Sequence, residues 1–263
     1  METNLTTALI PLEISWGDKR TNLDRAAKAI ASLPDATDLV VLPETFSTGF
    51  PVGMSREEVA AMAEPNNGPT MSFVKELAAS CNLAITGSFV ACEGDSLRNR
   101  AFFAEPSGEV TFADKRHLFT MAGEHRIFDS GSDRMSVRFR GWNIALAVCY
   151  DIRFPVWLRN RQNSYDLLIV VANWPEVRVG AWEALIPARA IENEAYVCAV
   201  DCRGTDTKGF LYNGSSQVCD FKGKNAGFSD GSGIITATLD KEALARFREK
   251  FPAWQDADAF KLL

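Results

Sequence analysis

Three short apolar runs constrain this chain most: LVVL at 39–42, IALAV at 144–148 and LLIVVA at 167–172. Each is short for a helix and lacks the polar alternation of a half-solvated strand, so each reads as a strand buried on both faces. The segments between such runs carry helical patterning. Residues 18–33 put Leu23, Ala26, Ala27 and Ile30 on one face, and 69–80 opens with a proline suited to a first turn. Further helices are predicted at 155–162, 180–193 and 241–250. The remaining pattern predicts strands at 7–15, 83–90, 100–105, 109–113, 136–140, 195–201, 216–221 and 233–239. Strand and helix alternate in two rounds without a detectable sequence repeat. No linker or low-complexity segment interrupts them, so the expectation is an α/β fold with 1–263 as one domain.

Composition narrows the function. Apolar residues make up 46% and charged residues 24% of the 263 residues, which is ordinary for a globular protein with a sizeable core. A net charge of −6 with no basic cluster gives nucleic acid or an anionic membrane no electrostatic handle. No apolar run is long enough to span a bilayer, and METNLTTALIPLEIS lacks the basic start and apolar stretch of a signal peptide. The six cysteines, Cys81, Cys92, Cys149, Cys198, Cys202 and Cys219, are scattered rather than framed for disulfides. That points to reduced thiols and a cytoplasmic protein, in which the sequons at Asn4 and Asn213 are accidental. The only histidines, His117 and His125, lack metal-site or papain-like spacing, and no phosphate-binding glycine fingerprint is present. No metal and no other cofactor is expected.

Three predicted strands run into a residue of catalytic type. LVVLP ends at Glu44, VTFA leads to Lys115 and IALAV ends at Cys149. Singly, each has a bland reading as a solvated charge or a buried small hydrophobe. Active sites of open α/β sheets gather at strand carboxyl ends, so the three together carry more weight than any one.

The segments LPETFSTGF, ADKRHLF and AVCYDIRFP, in this order, resemble the three signature segments of the nitrilase superfamily of carbon–nitrogen hydrolases. NWP at 173–175 and ARAIENEAYV at 188–197 are similar to further family segments, and the resemblance covers nearly the whole chain. FSTGF after the glutamate and RFPVW after the cysteine are most similar to the ω-amidase, YafV-like branch. The resemblance implies a four-layer α-β-β-α sandwich, a Cys-Glu-Lys site, a second glutamate near the lysine at Glu124, and a homodimer. The dimer would pack through 155–162 and 180–193, where Trp157, Leu158, Trp182 and Leu185 offer apolar surface.

The chemistry of the residues agrees with that resemblance. A cysteine thiol is mostly protonated at neutral pH and needs a base or a positive charge beside it. Glu44 can take the proton of Cys149, Lys115 can stabilise the developing oxyanion, and the backbone N–H of Tyr150 is the natural second donor. Trp174 and Phe119 are candidates for the pocket wall, as is Met121. Asp151 and Arg153 either pair with each other or free Arg153 to hold a substrate carboxylate. In the branch's usual pattern the strand before the late loop runs Asn-Arg-Val-Gly, whereas here it is Asp201-Cys202-Arg203-Gly204. The arginine stands one position later and on a strand faces the opposite side. The expected activity is release of ammonia from the terminal carboxamide of a small 2-oxo dicarboxylic acid monoamide, through a cysteine thioester. The alternatives are another short amide or an N-carbamoyl amino acid, a nitrile, or a binding protein that keeps only the fold.

Overall fold

A computed structural model describes residues 4–262. Met1–Thr3, the opening of the stretch read above for a leader, lies outside them. Six strands form the first sheet: β1 (Asn4–Leu9), β2 (Leu39–Val41), β3 (Ala84–Glu93), β4 (Ser96–Ala104), β5 (Val110–Asp114) and β13 (Ile235–Asp240), in the order β13-β1-β2-β3-β4-β5. Five form the second: β6 (Met135–Phe139), β7 (Trp142–Val148), β8 (Leu167–Ala172), β9 (Tyr196–Asp201) and β12 (Gln217–Cys219), in the order β12-β9-β8-β7-β6. A two-stranded ribbon, β10 (Arg203–Thr205) and β11 (Leu211–Asn213), lies apart from both. The helices are α1 (Lys19–Ala31), α2 (Arg56–Met62), α3 (Pro69–Cys81), α4 (Pro155–Leu158), α5 (Val179–Asn193) and α6 (Lys241–Lys250). None is long and apolar enough to cross a membrane.

The apolar runs account for the layering. Successive side chains of β2 point to opposite faces. Leu39 and Val41 join Leu146, Val148 and Ile169 in the core between the sheets. Val40 and Leu42 instead pack with Ala26, Ile30, Met71 and Val74 of α1 and α3. On the far side, Trp182, Ile186 and Ala190 of α5 cover the second sheet. The rings of Phe103 on β4 and Phe139 on β6 meet at 5.5 Å across the interior. These are the helix, sheet, sheet and helix layers of the expected sandwich. Within each sheet, β1-β2-β3 and β7-β8-β9 pair in parallel. Their carboxyl ends therefore open on one edge.

Local differences from the sequence reading have local causes. The strand predicted at 7–15 stops at Leu9, before Pro11, which has no N–H for a ladder. The helix predicted at 155–162 stops at Leu158. There Arg159 turns extended, and Asn160 instead accepts from Tyr165 N at 3.1 Å and donates to Asn193 O at 2.9 Å. Helix α2 and the ribbon were not anticipated. Two residues proposed for the dimer face point inward: Trp182 is fully buried and Leu158 nearly so. Val156 and the half-buried Trp157 remain at that surface.

Candidate active site

Glu44 is the third residue after β2, at the parallel edge of the first sheet, and is fully buried. Pro43 ends the ladder, and Thr45 takes a left-handed φ of 41° that sharpens the turn. Glu44 Oε1 accepts from Lys115 Nζ at 2.9 Å and from Asn99 Nδ2 at 2.7 Å, and Oε2 accepts from the backbone N–H of Asn173 at 2.9 Å. Asn173 also donates through Nδ2 to the Glu44 carbonyl at 2.7 Å. Residues from β4, β5 and the end of β8 thus fix one carboxylate.

Lys115 comes directly after β5, its backbone N–H donating to Asn99 O at 2.9 Å. Gly131 presses on this turn: a Cβ there would lie 2.2 Å from Asp114 O, so only glycine fits. The Lys115 ammonium bridges two carboxylates, Glu44 and Glu124, each at 2.9 Å. Glu124 Oε2 also accepts from Phe119 N at 2.5 Å. Burial works against the charge of Lys115, but Glu124, Glu44 and Cys149 outweigh it and hold its pKa well above the usual lysine value. Burial raises Glu124, which Lys115 opposes and Glu44 reinforces. One cation between two carboxylates leaves the cluster short of positive charge.

Cys149 stands immediately after β7 with a φ of +48°, a conformation that non-glycine residues rarely adopt. Asp151 staples this elbow: Oδ2 accepts from Val148 N at 3.1 Å, while Oδ1 accepts from His117 N at 2.9 Å and meets His117 Nδ1 at 2.8 Å. Asp151 is therefore not paired with Arg153. Burial and then Glu44 push the Cys149 thiol well above its ordinary pKa, with Lys115 opposing them. Its Sγ lies 3.8 Å from Asn173 O.

Glu44, Lys115 and Cys149 meet at the floor of a cavity of about 640 Å³, with Tyr150, Phe119 and Trp174 on its sides and Met121 at its edge. Glu124 does not line this cavity and sits behind Lys115. Two arginines reach the same space. Arg153 Cζ lies 4.9 Å from the Trp174 ring and Arg178 Cζ 5.2 Å from the Phe119 ring. Neither has a carboxylate partner among the described residues. Arg203, by contrast, packs against Gly214 and Gly233 and is not among the cavity residues. The sequence reading missed Asn99, Arg178, Asp206 and Tyr212, and left Asn173 within a motif but without a role. Each depends on distant segments meeting, which no local pattern announces.

The chain belongs to the carbon–nitrogen hydrolase family, whose model matches residues 6–249. It is 41% identical to the ω-amidase YafV of Escherichia coli strain K12 over 98% of each chain. It is 29% identical to a 2-oxoglutaramate amidase of Bacillus subtilis over 95% of this chain and 96% of that one. Among solved structures, XC1258 of Xanthomonas campestris, a CN-hydrolase superfamily protein, superposes with a TM-score of 0.93 at 38% identity over 99% of both chains.

Proposed function

We propose that this protein is an amidase, a single catalytic domain that hydrolyses the terminal carboxamide of a small 2-oxo dicarboxylic acid monoamide such as 2-oxoglutaramate. The observation that carries this reading is the meeting of Cys149, Glu44 and Lys115 on a cavity that also holds two arginines without carboxylate partners. The names of the relatives at 41% and 29% identity support the same substrate class.

In this mechanism Cys149 Sγ attacks the amide carbon while Glu44 removes the thiol proton. A thiol attacks poorly until its proton leaves, so the two events are coupled. The carbonyl π electrons move to oxygen. A lysine ammonium has three donors, and the glutamates take two of those of Lys115, so the third can face the oxyanion. Cys149–Arg153 is a helical turn whose first N–H groups lack an intrahelical acceptor, which leaves Tyr150 N–H as the second donor. Glu44 returns its proton to the nitrogen, the C–N bond breaks and ammonia leaves. Water then attacks the thioester as Glu44 takes its proton. Collapse returns that proton to Sγ and frees the acid. Arg153 or Arg178 holds the far carboxylate; a charged hydrogen bond of this kind is worth about 1.5–3 kcal/mol, or roughly 10–100-fold in kcat/KM.

An acid-terminated amide is therefore expected to be cut roughly 10–100-fold faster, in kcat/KM, than its methyl ester. Ammonia release from a panel of such amides, neutral short amides, nitriles and N-carbamoyl amino acids measures this. Arg153→Lys and Arg178→Lys, tested in parallel, identify the anchor as the one whose KM rises and whose acid preference shrinks. Equal kcat/KM for acid and ester would leave a general aliphatic amidase, and preference for a carbamoyl compound would move the substrate class.

The same reading includes a cytoplasmic setting with reduced cysteines and a homodimer. The surface beside α4 supports the dimer: Val156 is exposed, and Trp157 is flanked by Arg116 and Arg134, with Cζ 5.7 and 5.2 Å from its ring. Light scattering at micromolar concentration should give the mass of two chains, and Val156→Glu should shift it toward one. A wild-type monomer would remove the dimer while leaving the chemistry intact.

A further inference from the structure

Asp201, the last residue of β9, is fully buried, yet nothing in the mechanism above uses it. Its Oδ1 accepts two backbone N–H groups, from Trp174 at 2.7 Å and Cys202 at 2.9 Å, while its buried Oδ2 has no partner among the described residues. The parallel ladder between β8 and β9 ends at the pair Ala172–Asp201. Beyond it the chain swings away so that Asn173 reaches Glu44. The Asp201 carboxyl takes over where the ladder stops, holding the peptide that joins Asn173 to Trp174. Asn173 in turn gives Glu44 two hydrogen bonds, and its carbonyl lies beside Cys149 Sγ.

We propose that Asp201 is a positioning residue for amide hydrolysis, fixing the Asn173–Trp174 turn and through it the orientation of Glu44 toward Cys149. This rests on the amidase reading of the site. The titratable groups facing this corner are Glu44 after β2, Cys149 after β7 and Cys202 beside Asp201 on its own chain. Lys115 is already engaged by the two glutamates, and no basic side chain bonds the Asp201 carboxyl among the described residues. Burial raises the Asp201 pKa well above its ordinary value, opposed by the hydrogen bonds from Trp174 and Cys202 and reinforced by the charge of Glu44. A neutral Asp201 would accept through Oδ1 as an amide oxygen does and would add no second anion beside Glu44.

Asp201→Asn retains that acceptor oxygen, whereas Asp201→Ala removes it. The expected result is kcat near the wild-type value for Asn. For Ala, kcat should fall roughly 10–100-fold with little change in KM, the signature of a misplaced base rather than lost binding. Alkylation of Cys149 by iodoacetamide should slow in Ala and not in Asn, a readout that needs no substrate. Thermal melts test the protonation. A carboxyl whose folded pKa is raised loses stability as pH climbs from its unfolded pKa through its folded one. The melting temperature of Asp201→Asn should thus gain on wild type as pH rises from about 4. An Ala variant with wild-type kcat and alkylation, an Asn variant impaired like Ala, or a melting difference flat with pH would each overturn the proposal. If Ala does not fold, the Asn kinetics and melts still decide it. Wild-type enzyme that releases ammonia from no amide would sink the amidase reading, while the alkylation and melting comparisons would still test Asp201.

Discussion

Glu44→Gln is expected to lower kcat by about 10²–10⁴-fold, the usual worth of a general acid–base group. The loss should lie at the high end because the replacement does two things at once. It removes the acceptor for the thiol proton, and it turns an NH₂ group toward donors. The Glu44 carboxylate receives hydrogen bonds from Lys115, Asn99 and the Asn173 backbone, and an amide cannot accept from all of them in the same geometry. Glu124→Gln is the control. Its Oε1 meets the same lysine, but it lies behind Lys115 and away from the cavity, so measurable turnover should survive. Steady-state ammonia release from both variants reads this directly. An active Glu44→Gln enzyme beside a dead Glu124→Gln enzyme would mean that the two roles are exchanged.

Lys115→Met is expected to abolish turnover and to destabilise the protein by about 3–5 kcal/mol, the cost of breaking a buried ion pair from one side. The methionine fills much of the lysine's volume, so the effect is mainly electrostatic. It leaves Glu44 and Glu124, both fully buried, facing each other with no cation between them. With the opposing lysine gone, burial and the neighbouring carboxylate raise the pKa of Glu124 further, and it takes up a proton. A carboxyl with a raised folded pKa is stabilising only below its unfolded pKa, so the deficit against wild type should grow as pH rises above about 4 and shrink below it. Chemical denaturation at pH 4 and pH 8 checks the sign. A deficit equal at both values would mean that packing, not charge, makes Lys115 necessary.

The sequence carried the skeleton of this site because its strong signals are local. A wholly apolar run ended by Glu44 or Cys149 announces a buried strand and a candidate group at its end, and both groups stand where that reading put them. Helix α2 escaped it because only Val59 of its seven residues is buried, too little for periodicity, although Ser55 and Glu58 form a capping box that could have been noticed. The helix predicted at 155–162 is shorter in the structure. No apolar residue follows Leu158 until Tyr165, and the hydrogen bonds of Asn160 to residues 165 and 193 decide its end. Asn99 is harder still. On β4 it reads as an ordinary polar strand residue, and only the pairing of β3 with β4 sets it against Ser88, Glu44 and Lys115. Arg178 and Asp201 belong to the same class.

Glu44 and Lys115 hang from one sheet, Cys149 and the Asn173–Asp201 corner from the other. Neither sheet holds a working half, so the reactive geometry is a vernier reading of how two plates are stacked. Because Glu44 and Cys149 belong to different plates, the contact of Phe103 with Phe139 between those plates is expected to bear on how the two groups meet. Shortening such a side chain frees the plates to drift before it unfolds them, and a drift of one ångström already exceeds what proton transfer and attack tolerate. Fidelity of chemistry and alignment of the interior are, in this protein, a single quantity read at two places.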